Sequence, residues 1–204
     1  MKATKSIVLL LVTAALIFAA TSMISAESAG DKPACTTRQL EEQVVLYTIH
    51  RGGIDKIASV VMNLFNLAIE KGIYPDGPIT FVYLNDVTRT SSEHWLIEIR
   101  LPVDKSALKL SGTLGKMTDV KTLSSVKMAV SIKPEGMADP RPIYERLYSW
   151  MAKQGHMPTS GPQETFLTNA ESGDYAQMKT EIMVPLWDPS ALKAIDSITS
   201  NMLK

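Results

Sequence analysis

Two glutamates lie at corresponding positions of two predominantly apolar segments. A carboxylate in such surroundings is a candidate for ligand binding or catalysis. Glu98 lies in the segment 95–103, and Glu181 lies 83 residues later in the segment 177–186. Alternation along a strand puts each glutamate on the face opposite its apolar neighbours. A carboxylate in partly apolar surroundings attracts a cation strongly, because little water screens the charge. The alternative is a solvated face on which each glutamate pairs with a nearby lysine or arginine.

The second half of the chain repeats the first. A shift of 83 positions aligns glycines, prolines and these glutamates: Gly53 with Gly136, Gly72 with Gly155, Pro75 with Pro158, Glu98 with Glu181, and Pro102 with Pro185. This interval is too long for a solenoid repeat, and two copies are too few for one. We therefore expect two folding units related by a pseudo-twofold axis, with a ligand cleft between them.

Each copy has the pattern of a β-α-β-β unit. A β-branched strand leads through a turn into a helix with apolar residues at helical spacing, and two strands follow. Prolines at the start of the second helix and a glycine after each helix mark the helix ends. The sequence predicts an α+β fold with two modules whose antiparallel sheets form a concave ligand cleft: module 44–103 with helix 54–71, linker 104–125 with one helical turn, and module 126–186 with helix 138–154.

The two ends of the chain differ from the modules. Residues 1–26 have the basic start, apolar run and small-residue end that are typical of a secretory signal peptide. We expect cleavage after Ala26 and a secreted or periplasmic protein, and an uncleaved membrane anchor is the alternative. Residues 27–43 lack periodicity, which predicts a flexible leader. Apolar residues at helical spacing predict an amphipathic helix at 187–204.

The charge balance bears on the class of partner. The 204-residue chain carries 21 Lys plus Arg and 21 Asp plus Glu, and removal of Lys2 and Lys5 leaves 19 basic residues against 21 acidic ones. No basic stripe is present to follow a phosphate backbone. We therefore expect a small-molecule partner rather than nucleic acid.

Cysteine and histidine usage favours a protein without a metal centre. Cys35 is the only cysteine, so the chain forms no internal disulfide. His50, His94 and His156 are isolated, and none has a second histidine or cysteine at ligand spacing. We expect no metal site and no cofactor.

Two segments of the second copy resemble a known family. Residues 161–167, Gly-Pro-Gln-Glu-Thr-Phe-Leu, and residues 180–186, Thr-Glu-Ile-Met-Val-Pro-Leu, are similar to the signature of GyrI-like small-molecule-binding domains, also called the effector-binding domains of multidrug-responsive regulators. The first copy carries a weaker version at 77–84 and 98–103. The resemblance covers about residues 44–186.

The resemblance implies a groove between the modules that binds amphipathic compounds, often cationic or aromatic. It places Glu164 and Glu181 at the acidic positions of the family pattern, while Trp150 is expected in the helix core. A cation against an aromatic ring gains about 0.5 to 2 kcal/mol. The candidate ligand-binding residues are three glutamates and four rings: Glu98, Glu164, Glu181, Tyr47, Tyr83, Trp95 and Phe166.

Three functions follow from this resemblance. We expect a stand-alone extracytoplasmic binding protein, because about 17 residues between the predicted cleavage site and the first strand leave no room for the DNA-binding domain of related regulators. One alternative is a hydrolase of reactive small molecules, in which Glu164 or Glu181 beside Tyr83 or Tyr47 activates water. A lesser alternative is a haem or tetrapyrrole carrier, since SOUL-type proteins resemble the same architecture; it would need an axial histidine such as His50 or His156.

Overall fold

The computed structural model describes residues 34–87, 89–168 and 174–188. The predicted signal peptide lies outside these residues, as does the predicted C-terminal helix after residue 188. Among the described residues, no helix has the length and apolar character needed to cross a membrane.

Eight strands and two α-helices are found in the described ranges. The strands are β1 Thr36–Leu40, β2 Gln43–Arg51, β3 Thr80–Tyr83, β4 Leu96–Val103, β5 Thr118–Leu123, β6 Val126–Lys133, β7 Gln163–Phe166 and β8 Thr180–Pro185. The helices are α1 Ile57–Glu70 and α2 Arg141–Lys153, and one turn of 3-10 helix, Ile54–Lys56, leads into α1. The chain therefore has both predicted β-α-β-β orders, β2-α1-β3-β4 and β6-α2-β7-β8.

All eight strands form one curled antiparallel sheet. Their order is β1-β6-β8-β7-β3-β4-β2-β5, so the two halves of the chain meet where β3 pairs with β7. The sequence predicts two sheets, but the two halves join into one. Strands β3 and β7 are short, and each would have an unpaired edge if the other did not pair with it. Their register puts Phe81 opposite Glu164 and Thr80 opposite Thr165. We call this pairing of β3 with β7 the seam.

Both helices pack on the same face of the sheet. Helix α1 covers β2, β3 and β4, and helix α2 covers β6 and β8. Each buried apolar side chain contributes about 1.5 to 3 kcal/mol relative to exposure. The residues that face the sheet recur at helical spacing: Ile57, Val61, Leu64 and Ala68 in α1, and Ile143, Leu147 and Met151 in α2.

Both helices end at the predicted glycines. Gly72 and Gly155 have φ angles of 64° and 70°, in the left-handed region that glycine adopts readily. After α1 the amide of Ile73 donates to the carbonyl of Ala68 at 2.8 Å, which closes a Schellman-type cap. The chain can therefore turn sharply from each helix back to the sheet.

The structure differs from the sequence prediction at two segments. Strand β1 lies within the predicted flexible leader and pairs with β6, and strand β5 lies within the predicted linker and pairs with β2. Both cover edges of the sheet that would otherwise expose unpaired amides and carbonyls. The sequence of β1 is polar and shows no alternation of apolar residues, so it gives no strand signal of its own. Strand β1 forms because its backbone pairs with that of β6. The helical turn predicted in the linker is present as the 3-10 helix Lys105–Leu110.

Alternation divides the strand residues between two faces. The helix face, which α1 and α2 cover, carries Phe81, Ile99, Glu164 and Ile182. The opposite face of the sheet, which we call the far face, carries the residues that alternate with these along each strand. This division decides which candidate residues share a site.

Candidate functional site

A cavity of about 1220 Å³ lies on the helix face at the seam. Tyr83 of β3 and Glu164 and Phe166 of β7 line its inner end, and Tyr144 of α2 lines one side. A cavity of this size accommodates a drug-sized molecule. Exposed apolar side chains surround the opening: Ile54, Leu84 and Tyr148.

A buried carboxylate occupies the inner end of this cavity. Glu164 is only 8% exposed. The hydroxyl of Tyr144 donates to Oε1 of Glu164 at 2.6 Å, and the hydroxyl of Tyr83 donates to Oε2 at 3.2 Å. Each carboxylate oxygen can accept a second hydrogen bond, so both retain capacity for a ligand donor.

The surroundings of Glu164 favour its neutral form more than water does. Burial raises the pKa of Glu164 above its ordinary value. The hydrogen bonds from Tyr144 and Tyr83 and the charge of Lys133 act in the opposite direction, but burial outweighs them. Burial, followed by the charge of Glu164, raises the pKa of both tyrosines well above the usual value, so their hydroxyls remain donors.

Aromatic rings form much of the cavity wall. The ring centroid of Phe166 lies 4.6 Å from that of Phe81 in an edge-to-face contact, and Tyr175 lies 5.1 Å from Phe166. The indole of Trp95 donates from Nε1 to the carbonyl of Thr90 at 2.8 Å. These contacts fix ring orientations, so the cavity presents a shaped apolar surface next to the Glu164 carboxylate.

A buried lysine also lines the cavity. Lys133, the last residue of β6, is 3% exposed. Its ammonium donates to the carbonyls of Met137, Ala176 and Met178 at 3.1, 2.8 and 2.6 Å. The lysine thereby ties the segment before α2 to the segment after Tyr175.

Gly161 allows the chain to enter β7 close to β3. A Cβ atom at this position would lie 2.6 Å from the carbonyl oxygen of Tyr83. The amide of Tyr83 also donates to the carbonyl of Pro162 at 3.3 Å. Glycine at 161 thus places Glu164 and Tyr83 side by side at the inner end of the cavity.

Glu98 lies on the far face, in a cluster of charges. Lys121 donates to both of its carboxylate oxygens at 2.8 Å, and Arg100 donates to Oε1. Burial alone would raise the pKa of Glu98, but the hydrogen bonds and charges of Lys121 and Arg100 hold it below the usual value. The ammonium of Lys121 also lies 4.2 Å from the ring centroid of Tyr47. Glu98 and Tyr47 are therefore engaged within the protein.

Glu181 also lies on the far face. Arg38 of β1 binds its two carboxylate oxygens through two guanidinium nitrogens. Glu98 and Glu181 each pair with a basic side chain, as in the alternative stated for them, but both are buried, whereas that alternative placed them on a solvated face. The leader segment supplies one of these partners.

The structure thus brings together four of the seven candidate residues. Glu164, Tyr83, Trp95 and Phe166 line the cavity. The strand register places the other three on the opposite face of the sheet: Glu98, Glu181 and Tyr47. A single ligand in the cavity therefore does not reach both sets.

Neither histidine considered as an axial ligand lines this cavity. Nε2 of His50 donates to the carbonyl of Gly53 at 3.0 Å, and the ring of His156 lies 5.5 Å from that of Trp150. Trp150 is half-buried and packs against the core under α2. Among residues 34–87, 89–168 and 174–188, no group of three potential metal ligands comes together.

The sequence prediction missed most of the residues that line the cavity, among them Tyr144, Tyr148, Lys133 and Tyr175. Tyr144 and Tyr148 lie one helical turn apart next to the core positions of α2, and this spacing was an available signal. Lys133 lies four residues after Ala129 and therefore on the same helix face of β6, so its inward direction was also predictable. Tyr175 lies in a loop segment, where no periodicity indicates its position.

Glu164→Gln should stabilise the protein relative to the wild type increasingly as pH rises. Because the native pKa of Glu164 is raised, its contribution to stability is complete below the unfolded pKa and is lost as pH rises through the native pKa. Each pH unit between the two pKa values corresponds to about 1.4 kcal/mol. Thermal unfolding across a pH series measures the difference, with the exposed Glu135→Gln as control. A difference that stays constant with pH would contradict this account of the carboxyl.

No protein-family model and no curated protein matches the chain. Solved structures match its fold. EcmrR in a complex with DNA superposes with a TM-score of 0.63 at 14% identity over 88% of this chain. The EcmrR C-terminal domain gives 0.60 at 15% identity, over 76% of this chain and 98% of that domain. A hydrolase from Listeria innocua gives 0.57 at 12% identity, over 78% of this chain and 94% of the hydrolase.

These likenesses concern the fold. The chain spans 64% of the length of the DNA-bound EcmrR chain, whereas it covers almost the whole of the C-terminal domain. At such low identities the shared architecture carries no residue roles with it. The fold is an α+β architecture that is consistent with the GyrI-like effector-binding fold.

Proposed function

We propose that the protein binds a small amphipathic molecule in the cavity at the seam. The observation that carries this proposal is the Glu164 carboxylate, buried at the inner end of an aromatic-lined cavity that opens to solvent. Two tyrosine hydroxyls orient this carboxylate and leave acceptor capacity on each oxygen. The resemblance of residues 161–167 and 180–186 to effector-binding domains supports the same proposal, and the fold shared with the EcmrR C-terminal domain agrees with it.

The chemistry of the wall defines the ligand class. An apolar ring of the ligand packs against Phe166, Trp95 and Tyr144, and a hydrogen-bond donor or a positive charge meets Glu164. Water is largely excluded around this carboxylate, so a charge-assisted hydrogen bond there is stronger than at the surface. Cation–π contacts with the rings add about 0.5 to 2 kcal/mol each. We therefore propose an aromatic ligand with a cationic or N–H group.

The proposal includes a two-module origin for this site. In each half of the chain the first strand of the β-α-β-β unit pairs with its third strand, and the third pairs with the second. The same order in both halves, together with the sequence repeat, supports a pseudo-twofold relation whose axis passes near the seam. A ligand at the seam then contacts both modules, which agrees with the cleft expected from sequence.

Glu164→Gln should weaken the binding of a protonated aromatic amine about tenfold or more. A hydrogen bond to a charged group contributes about 1.5 to 3 kcal/mol, and glutamine removes the charge. Wild-type affinity should also fall as pH falls through the raised pKa of Glu164, because a proton then competes with the cation. Titration calorimetry of both proteins with 1-naphthylmethylamine across a pH series measures these effects.

Glu181→Gln is the matched control for this experiment. Glu181 belongs to the same sequence pattern, yet it lies on the far face, paired with Arg38. We expect its affinity for the amine to equal that of the wild type. Weaker binding in Glu181→Gln together with unchanged binding in Glu164→Gln would contradict the proposed site.

A second candidate function is hydrolysis of a reactive small molecule bound in the same cavity. The raised pKa of Glu164 favours this alternative, since a carboxyl that titrates closer to neutral pH is a better general acid or base. The hydroxyls of Tyr83 and Tyr144 lie in contact with it. A bound electrophile that stays intact over hours, as followed by chromatography, would rule out hydrolysis of that compound without contradicting its binding.

The proposed location is extracytoplasmic. The basic, apolar and small-residue zones of residues 1–26 support an export signal. We expect intact-mass spectrometry of protein expressed in a bacterial host to find a chain that begins at Glu27, in the periplasm or the medium. A cytoplasmic chain that retains residues 1–26 would contradict both the signal and the location.

The proposed partner is a small molecule rather than nucleic acid. The chain carries equal numbers of basic and acidic residues, and several basic side chains of the far face are paired with glutamates. Basic residues that are already paired with glutamates neutralise few phosphates, so binding to a nucleic acid through them would release few counterions. Because of this charge balance, we propose no nucleic-acid partner.

A further inference from the structure

A second, smaller cavity lies at the seam on the far face of the sheet. It has a volume of about 170 Å³, and Thr80 of β3, Arg100 of β4, and Gln163 and Thr165 of β7 line it. Arg38 also lines it, and the side chain of Arg38 is 47% exposed, so solvent reaches the cavity at that residue. The cavity is smaller than the sites that hold drug-sized molecules, and it suits a compound of a few heavy atoms.

The curl of the sheet makes the far face the concave one. Five strands separate β1 from β2 in the sheet, which would put these two strands about 29 Å apart if the sheet were flat. Only residues 41 and 42 join them, and such a connection spans about 11 Å at most. The sheet therefore curls, and the far face is on the inside, because residues of β1, β2 and β8 line one cavity there. This curl accounts for the burial of polar side chains on the far face.

Gln163 has unused hydrogen-bond donors in this cavity. Its residue is only 6% exposed, and Nη1 of Arg100 donates to its side-chain oxygen at 3.3 Å. Because a guanidinium only donates, this contact fixes the amide with its oxygen toward Arg100 and leaves the NH₂ group for another partner. Among the described residues, no acceptor binds that NH₂ group.

Arg100 and a pair of threonines add further donors. Arg100 uses Nε for Glu98 and Nη1 for Gln163, whereas its Nη2 donates to no atom in the described part of the chain. The hydroxyls of Thr80 and Thr165 lie 2.7 Å apart across the seam. One of their two protons makes this hydrogen bond, so the other is left for a further acceptor. A ligand group that only accepts hydrogen bonds would use all of these donors.

Arg100 gives the wall of this cavity an excess of positive charge. Among the described residues, the charged ones that line the cavity are Arg38, Arg100 and Glu181. Arg38 binds Glu181 through two guanidinium nitrogens, so these two charges offset each other. Arg100 shares the carboxylate of Glu98 with Lys121, so one negative charge serves two cations.

Asp119, a further carboxylate on the far face, lies outside the cavity wall. It is opposite Tyr47 in the strand register and accepts hydrogen bonds from the amides of Gly112 and Val120. A single negative charge beside Arg100 is therefore favoured. The planar guanidinium also matches the geometry of a planar carboxylate.

We propose that this second cavity binds a monocarboxylate with a short aliphatic chain. The carboxylate accepts hydrogen bonds from Arg100 and Gln163, and the chain packs against apolar side chains of the wall such as Val45 and Met183. The size of the cavity limits the chain to a few carbons. The inference goes beyond the proposed function and does not depend on it, because Glu164 and the rings of the first cavity lie on the opposite face of the sheet.

The test uses butyrate and its uncharged analogue butyramide, with binding followed by calorimetry and by the side-chain amide signals in nitrogen-15 NMR spectra. We expect the wild type to bind butyrate at least about tenfold more tightly than butyramide, with a shift of the Gln163 NH₂ signal. Gln163→Glu keeps the shape of the side chain and its contact with Arg100, but it puts a carboxylate in the cavity and should weaken butyrate binding at least about tenfold. Gln154→Glu makes the same change of charge at an exposed position and is the control, with wild-type affinity expected.

Absence of saturable butyrate binding to the wild type, or equal binding of butyramide, overturns the proposal. Butyrate binding that Gln163→Glu leaves unchanged, or that shifts no Gln163 signal, also overturns it, because the anion would then lie elsewhere. If circular dichroism shows that Gln163→Glu does not fold, the two probes and the Gln163 signal of the wild type decide. The amine titrations of Glu164→Gln test the proposed function separately, so either proposal can fail alone.

Discussion

Burial of the Glu164 carboxylate at the seam is the constraint on which the rest of the site depends. A carboxylate out of water loses hydration that the protein must replace. Two tyrosine hydroxyls and the field of Lys133 replace part of it, and the pKa of Glu164 remains raised in spite of them. The protein's own groups therefore compensate this carboxylate only in part. A ligand that donates to the carboxylate adds a hydrogen bond that the protein does not supply.

The continuous sheet is what positions this charge. Because β3 pairs with β7, residues distant in sequence become neighbours, and their register puts Glu164 opposite Phe81 on the helix face. Helix α1 packs on one half of the sheet and α2 on the other, and residues from both halves line the cavity at the seam. Gly161 permits the close approach of the two strands. The far face shows the contrasting case, in which Glu98 and Glu181 are satisfied within the protein by basic side chains.

Features that depend on local periodicity were predictable from the sequence, and features that depend on strand pairing were not. Helical spacing and glycine caps predicted both helices to within a few residues, and alternation placed Glu98 and Glu181 off the helix face. The polar strand β1 gave no such signal, because its partner β6 decides it. Arg100 lies two residues after Glu98 on the same strand, so alternation predicts that pair. Lys121 and Arg38 come from other strands, and no spacing rule predicts Arg38 beside Glu181. The same holds for the convergence of Lys133, Tyr144 and Tyr175 on one cavity.

The most direct test of the central claim is a carbon-13 NMR titration of the glutamate side-chain carboxyls, with Glu164 assigned by substitution. The account predicts that a saturating aromatic amine moves the Glu164 titration to lower pH, because a bound cation favours the carboxylate, while the Glu98 and Glu181 signals keep their positions. A ligand that binds without moving the Glu164 titration, or that moves the Glu181 titration instead, would contradict the claim that the buried Glu164 is the recognition group.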